Sequence, residues 1–390
     1  MTAADPTTEA GGDASTDAAS PPGPWLLYGA NGYTGELVAR EAVRRGLRPL
    51  LAGRSAGPVE ALAAELGLET RVFPLGDPGS VRAQLAGVAA VLHCAGPFVE
   101  TAKPMVRACL DTGTHYLDIT GEIGVFERVL ARDESARRCG AVLVPGVGFD
   151  VVPTDCTAAR VAAALPDADH LELAFVAERG GSSGAGLSRG TARTMVRNLP
   201  GVGAERRDGA IVRLPLAAHG RSLELLLPSG EIQHRWVMSI PWGDVSTAFH
   251  TTGIPNIRVY TGVPPGTIRR LRRLRPLVPL AGLAPVRALL ERWVERRFAD
   301  QRGPGEEARR EGRVTVWGRA TAPSGATATS VLVTPESYAF TAASAVECVR
   351  RVLAGEVEPG AWTPARAFGP ELVEALPGVE VGEVATTPPS

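Results

Sequence analysis

The stretch LLYGANGYTGELVAR, residues 26–40, decides how the rest of the chain is read. Gly29, Gly32 and Gly35 stand three apart between an apolar run and an amphipathic one, the spacing of a strand that turns into a helix around a bound phosphate. Gly29 ends the strand, Gly32 lets backbone approach a pyrophosphate, and Gly35 lets the helix pack closely on the sheet. The helix N-terminus then offers free N–H groups to the anion. The turn residues assigned to the ligand are Gly29, Asn31, Gly32, Tyr33, Thr34 and Gly35. A tight strand-to-helix turn with no ligand would use the same glycines, so the surrounding pattern has to decide.

Outward from this turn, from Trp25 to about Gly148, short apolar runs alternate with helical-period segments: WLLYGA, PLLAGR, TRVFPL, VAAVLHCAG, HYLDIT and AVLVPG. Strands separated by helices of this length imply right-handed crossovers and a parallel sheet, so the expected architecture is a Rossmann-type doubly wound α/β domain that binds a dinucleotide. The end of the second strand reads LLAGRS, with Arg54 and Ser55 and no acid before Glu60. An acid there would accept from the ribose 2′-OH of NAD, whereas a guanidinium pairs with a 2′-phosphate, which selects NADP. Ala95, Gly96 and Pro97, at the end of the fourth run, are placed to line the same cofactor.

After GFDVVPTDC the pattern changes. HLELAFVAE, AIVRLPL, SLELLLP, IQHRWVMSI, RVTVWGRAT and TSVLVTP follow one another with few long helices between, which predicts a second α+β domain on a largely antiparallel sheet. Helices are expected near Arg189 to Leu199 and from about Tyr338 to Leu353. The resulting division is a disordered tail over 1–24, the NADP-binding domain over 25–150, a substrate or dimerisation domain over 151–363, and a C-terminal segment over 364–390 that could pack back on the first domain. Within the second domain, 265–298 reads as an Arg-rich helical insertion, with Leu271, Leu274, Leu283, Leu290 and Trp293 gathered on one side and arginines on the other. That pattern suits a helix packed on its own domain or on a second copy, or a docking surface for an acidic carrier protein or an anionic lipid interface.

Composition narrows the function classes. A net charge of −1 gives no global field for nucleic acid, and five scattered cysteines form neither a CxxC nor a His/Cys cluster, which argues against a disulfide framework or a zinc site and for a reducing cytoplasm. The tail carries acids but no Lys or Arg and no apolar core, unlike a signal or transit peptide. Lys103 is the single lysine, and the residue four before it is Val99, so the Tyr-x-x-x-Lys pair of short-chain dehydrogenases is excluded.

In an open α/β sheet the ligand lies beyond the carboxyl ends of the strands, here Gly96 to Phe98, Thr120 to Glu122 and Gly148 to Asp150. Glu122 and Asp150 are the acids best placed to face a nicotinamide, followed by Asp118 and Tyr116. Each has a structural alternative. Asp150 and Asp155 are equally suited to cap the helix that begins near Pro153, and TGE could simply shape a loop. With a carboxyl buried against Phe98 and Phe149, Glu122 would be the expected proton donor, with Tyr116 or solvent as the other sources.

Taken together, YGANGYTG, LAGRS, CAGPF, ACLDTGTHYLDITGE and PGVGFDVVPTDC resemble the saccharopine dehydrogenase-like oxidoreductases, and most closely the branch of trans-acting enoyl reductases. PWGDVSTAFHTTGIPNIRVY, TPESYAFTAASAV and TPARAFGPELVEALPGVE carry the likeness into the second half. The resemblance implies an NADPH-dependent oxidoreductase that reduces an activated C=C bond in a thioester, polyketide-like or carrier-bound acyl substrate. The alternatives are reduction of a C=N or C=O bond in a small metabolite, closer to saccharopine chemistry, or an NADP-binding scaffold without turnover.

Overall fold

The computed structural model describes residues 23–178, 203–276, 283–297 and 303–389. The tail and the helix expected near Arg189 to Leu199 lie outside them. The first half builds β1 (Trp25–Tyr28), α1 (Tyr33–Arg44), β2 (Leu50–Gly53), α2 (Ala56–Leu66), β3 (Thr70–Val72), α3 (Pro78–Gln84), β4 (Ala90–His93), α4 (Phe98–Thr112), β5 (His115–Asp118), α5 (Ile123–Leu130), α6 (Asp133–Cys139) and β6 (Val142–Val144). The six strands lie parallel in the order β6-β5-β4-β1-β2-β3, so the chain winds outward from β1 to β3 and restarts at β4 on the other side of β1. Strand order therefore reverses between β1 and β4, and the crevice beyond their carboxyl ends is where such a sheet takes its ligand. Every residue of β1, β2 and β4 is buried, because helices cover both faces.

The second half begins with α7 (Val152–Ala164) and continues through β7 (His170–Ala177), β8 (Ala204–Arg207), β9 (Ala210–Arg213), β10 (Gly220–Leu226), β11 (Ile232–Ser239), α8 (Asp244–Thr252), β12 (Asn256–Gly262), α9 (Thr267–Leu274), α10 (Ala284–Arg297), α11 (Glu306–Glu311), β13 (Arg313–Thr321) and β14 (Thr327–Pro335). Its sheet runs β10-β11-β12-β7-β13-β14 and is antiparallel except where β12 joins β7. The chain then returns through α12 (Ser337–Leu353), β15 (Gly360–Ala361), α13 (Pro364–Phe368), a 3-10 turn at Pro370–Ala375, β16 (Glu380–Val381) and β17 (Ala385–Thr387). β15 pairs with β6 as a seventh parallel strand, whereas β16 and β17 pair with β14, so the C-terminal third ties into both sheets. One continuous core runs from Trp25 and Leu27 through Phe149 and Val316 to Phe340 and Leu372 and joins the two halves.

In the Arg-rich insertion Ile268 and Leu271 pack with Ala217 and Met238, whereas Leu274, Leu283 and Trp293 are exposed. The side chains of Arg272 and Arg275 instead hold α9 to its domain, donating to the carbonyls of Leu216, Ala217 and Ala218 at 2.6–3.0 Å.

Candidate active site at the strand ends

The glycine turn is built as a close-packed cradle. Gly29 has φ +86°, and a Cβ there would lie 2.8 Å from the Ala95 nitrogen, so β1 and the β4 loop approach nearer than any side chain allows. A Cβ on Gly35 would lie 2.2 Å from the Gly29 carbonyl oxygen, which brings α1 down onto the turn. Gly32 is the N-cap residue of α1, in extended conformation and with no side chain to cap it. The N–H groups of Tyr33, Thr34 and Gly35 donate to no acceptor among the described residues, leaving three donors and the positive end of the helix dipole for an anion.

At the end of β2, Arg54 is exposed and forms no ion pair among the described residues, while Ser55 precedes α2 without capping it. The Asn31 side chain leans over the same strand end, 3.0 Å from where a Gly53 Cβ would stand. These residues suit a nucleotide with a phosphorylated ribose: helix donors for the pyrophosphate and a free guanidinium for the 2′-phosphate. Ala95, Gly96 and Pro97 form the adjoining wall beyond β4 and lead into α4.

Tyr33 points to the second half. Its hydroxyl donates to the Pro304 carbonyl at 2.6 Å and accepts from Arg309 at 2.8 Å, and its ring meets Tyr338 edge-on at 5.0 Å. Periodicity gave no sign of this contact, because its partners lie some 270 residues away.

The four candidates proposed from sequence, Glu122, Tyr116, Asp118 and Asp150, have different surroundings. Glu122 accepts from the backbone N–H groups of Phe98 and Val99, at 3.0 and 2.8 Å, and so caps the first turn of α4 from the neighbouring loop. That is an occupied, structural geometry. Tyr116 is wholly buried inside the first domain, and its hydroxyl donates to the Asp118 carboxylate at 2.6 Å, so it does not face the crevice. Asp118 is itself a loop staple: its other oxygen accepts from Thr120 and Gly146 N–H, each at 2.9 Å, joining the ends of β5 and β6. Burial raises its pKa to about 6 despite those donors. The spacing DIT, an aspartate accepting from the amide two residues on, was the available sequence signal for this turn.

Asp150 is different. α7 begins without a side-chain cap, and the Asp150 carboxyl accepts no hydrogen bond among the described residues. It lies against the TGE loop, where a Cβ on Gly121 would stand 2.6 Å from Oδ2. Burial without compensating donors pushes its pKa up to about 7. Trp242 donates from Nε1 to the Asp150 carbonyl at 2.7 Å and packs at a tilt on Phe175 at 4.8 Å, and Phe175 meets Phe149 edge-on at 6.0 Å. Aromatic rings contributed by both halves thus meet beside the Asp150 backbone, and the carboxyl itself is held well above the usual carboxylate range. The segment PWGDV earns its place here: Asp244 accepts from Thr154 at 2.7 Å, which fixes α8 against α7 and sets Trp242 over the Asp150 loop. Asp155, by contrast, accepts from Thr251 and from Ala365 N–H and is spent on holding the C-terminal segment. The loop after β6 is held from above by α12, since Thr341 accepts from Phe149 N–H and Ser344 donates to the Val147 carbonyl. The N–H groups of Gly121 and Gly148, on either side of Asp150, have no acceptor among the described residues. Cys94 is a partly buried thiol with a raised pKa, and His115 accepts from Val142 N–H; both serve the sheet.

Comparison with known proteins agrees with this geometry. Residues 25–144 match the family described as the saccharopine dehydrogenase NADP binding domain. A trans-acting enoyl reductase of Mycobacterium leprae is 33% identical over 138 residues, which cover 33% of this chain and 33% of that one. A saccharopine dehydrogenase-like oxidoreductase of Arabidopsis thaliana, so named, is 31% identical over 152 residues, covering 33% and 32%. The matches thus span about a third of each relative. Among solved structures, saccharopine dehydrogenase (L-Glu forming) of Saccharomyces cerevisiae superposes with a TM-score of 0.61 over 94% of this chain and 100% of that one at 13% identity. The homospermidine synthase of Legionella pneumophila, solved with NAD, gives 0.55 over 94% and 91% at 11% identity. At such identities these two speak for the fold, which extends through both halves. The turn, the strand order and the family match agree: residues 25–144 are similar to the saccharopine dehydrogenase NADP binding domain, and the fold of the chain resembles that of saccharopine dehydrogenase.

Proposed function

We propose that the protein is an NADPH-dependent reductase of an activated C=C bond in a thioester or polyketide-like acyl substrate, presented free or on a carrier. The observation that carries this reading is Asp150: a carboxyl with no hydrogen bond among the described residues, a pKa near neutrality, and an aromatic surround of Phe149, Phe175 and Trp242 at the strand ends. The enoyl reductase names of the relatives support the choice of substrate.

In this site Gly32, the α1 amides and Arg54 would hold NADP, which supplies a hydride when bound. Reduction of a conjugated double bond leaves negative charge on the carbonyl oxygen and a carbon in need of a proton. The free N–H groups of Gly121 and Gly148 are suited to the oxygen, and Asp150 delivers the proton. Burial raises the pKa of Asp150 to about 7, so the protonated form needed for this step is present below that pH. This reading moves the donor from Glu122 to Asp150, because Glu122 already caps α4.

The test is NADPH oxidation followed by absorbance with enoyl-thioesters, keto acids plus amines, and simple ketones as acceptors. Turnover with enoyl-thioesters is the expected result. Turnover only with the imine-forming pair or with ketones would replace this reading by the saccharopine-like one, and none with any acceptor would point to a scaffold.

A further inference from the structure

Among the described residues ten large apolar side chains are conspicuously exposed, and four of them, Leu274, Leu283, Leu289 and Trp293, fall within twenty residues of the Arg-rich insertion. They are 49–68% exposed. Scattered apolar residues on a surface are ordinary, but a cluster in a basic segment marks a contact surface. Between residues 265 and 297 the sequence has nine arginines against two glutamates, although the whole chain carries a net charge of −1.

The two helices divide the work. α9 is bound to its domain by Ile268 and Leu271 and by the Arg272 and Arg275 hydrogen bonds, and it presents Arg269, Arg270, Arg273 and Leu274 to solvent. On α10, Leu289 and Trp293 are four apart and share a stripe, as do the exposed Arg292 and Arg296 on the adjacent stripe. An apolar stripe with Trp, bordered by guanidinium groups, fits the boundary between headgroups and acyl chains: Leu and Trp enter the apolar layer while the arginines pair with anionic phosphates. None of the described helices is long and apolar enough to cross a membrane, so the contact is peripheral.

We infer that α9 and α10 dock the protein on an anionic lipid surface, with Leu289 and Trp293 inserted and Arg269, Arg270, Arg273, Arg292 and Arg296 on the phosphates. An acidic carrier protein could also answer the charge, whereas a Leu–Trp stripe bordered by arginines is the pattern of a helix lying in a headgroup layer. The inference does not depend on the reaction assigned above, since its test reads binding alone.

The experiment is co-sedimentation of the full chain with phosphatidylcholine vesicles with and without phosphatidylglycerol. The expected result is binding at least about tenfold stronger with phosphatidylglycerol at low salt, falling to the background at about 1 M salt. The double variants Leu289→Glu/Trp293→Glu and Arg292→Glu/Arg296→Glu should each lose binding while keeping the wild-type unfolding temperature and NADPH affinity, because these side chains are exposed. Equal sedimentation with and without phosphatidylglycerol, no sedimentation at all, or unchanged binding by both folded variants would overturn the inference. Capture of the chain by an acidic acyl carrier protein without vesicle binding would also overturn it and assign the surface to a protein partner.

Discussion

In the proposed reading Arg54 selects the cofactor and Asp150 supplies the proton, and neither side chain has a hydrogen-bond or ion-pair partner among the described residues. Arg54 stands at the end of β2 with no carboxylate paired to it among the described residues, so its charge is available to a 2′-phosphate. Arg54→Asp should weaken NADPH binding by about 2–4 kcal/mol, through loss of a charge-assisted pair and a new repulsion, and leave NADH binding nearly unchanged. Titration of cofactor fluorescence measures both; equal affinity of the unmodified protein for the two cofactors would contradict the assignment. In the sequence this residue stands out because it replaces an expected acid at a fixed place. It also nominated Glu122, Tyr116 and Asp150 together, since all three sit at strand ends. What separates them is whether other groups already use them. The α4 amides that hold Glu122 and the Asp118 carboxylate that holds Tyr116 come from the packing of neighbouring elements, which strand periodicity does not encode.

Within the β1–α1 element the glycines have separable duties, and the separation is testable. Gly35 meets the Gly29 carbonyl and serves packing, whereas a Cβ on Gly32 would stand 3.3 Å from that oxygen, tight but tolerable. Gly32→Ala should therefore fold nearly as stably as the parent and bind NADPH at least about tenfold more weakly, because the methyl intrudes on the pyrophosphate. Gly35→Ala should lower stability by about 1–3 kcal/mol, because backbone must shift. Thermal unfolding and cofactor titration on both variants decide it; identical behaviour of the two would mean that the turn has no such division. The sequence pattern had already placed these glycines correctly, as the three-residue spacing expresses local geometry alone. In the insertion helical periodicity located α9 and α10, but the contacts of Arg272 and Arg275 were not legible, because they reach carbonyls that only the folded domain brings near.

For the whole molecule, the proposed site lies where the two halves meet. The parallel sheet was legible from alternating apolar runs and the second sheet from its change of period, but β15, contributed by residues 360–361, was not, since two residues carry no periodicity. Nor was the aromatic wall, whose members Phe149, Phe175 and Trp242 come from three distant segments and converge only through the docking of α7 and α8 on both sheets. Burial raises the pKa of Asp150 to about 7, and the sign of the consequence follows. An acid with a raised pKa keeps its proton up to about pH 7 and loses it above, so a step that needs the proton fades as pH rises. The decisive measurement is the pH dependence of enoyl-thioester reduction by the parent and by Asp150→Asn at saturating NADPH. The account predicts a plateau below about pH 7 and a tenfold fall per unit above it in the parent. For Asp150→Asn it predicts a rate roughly 10²–10⁴-fold lower, with that break absent and NADPH affinity retained. A variant that turns over as fast as the parent, or that keeps the break near pH 7, would contradict it.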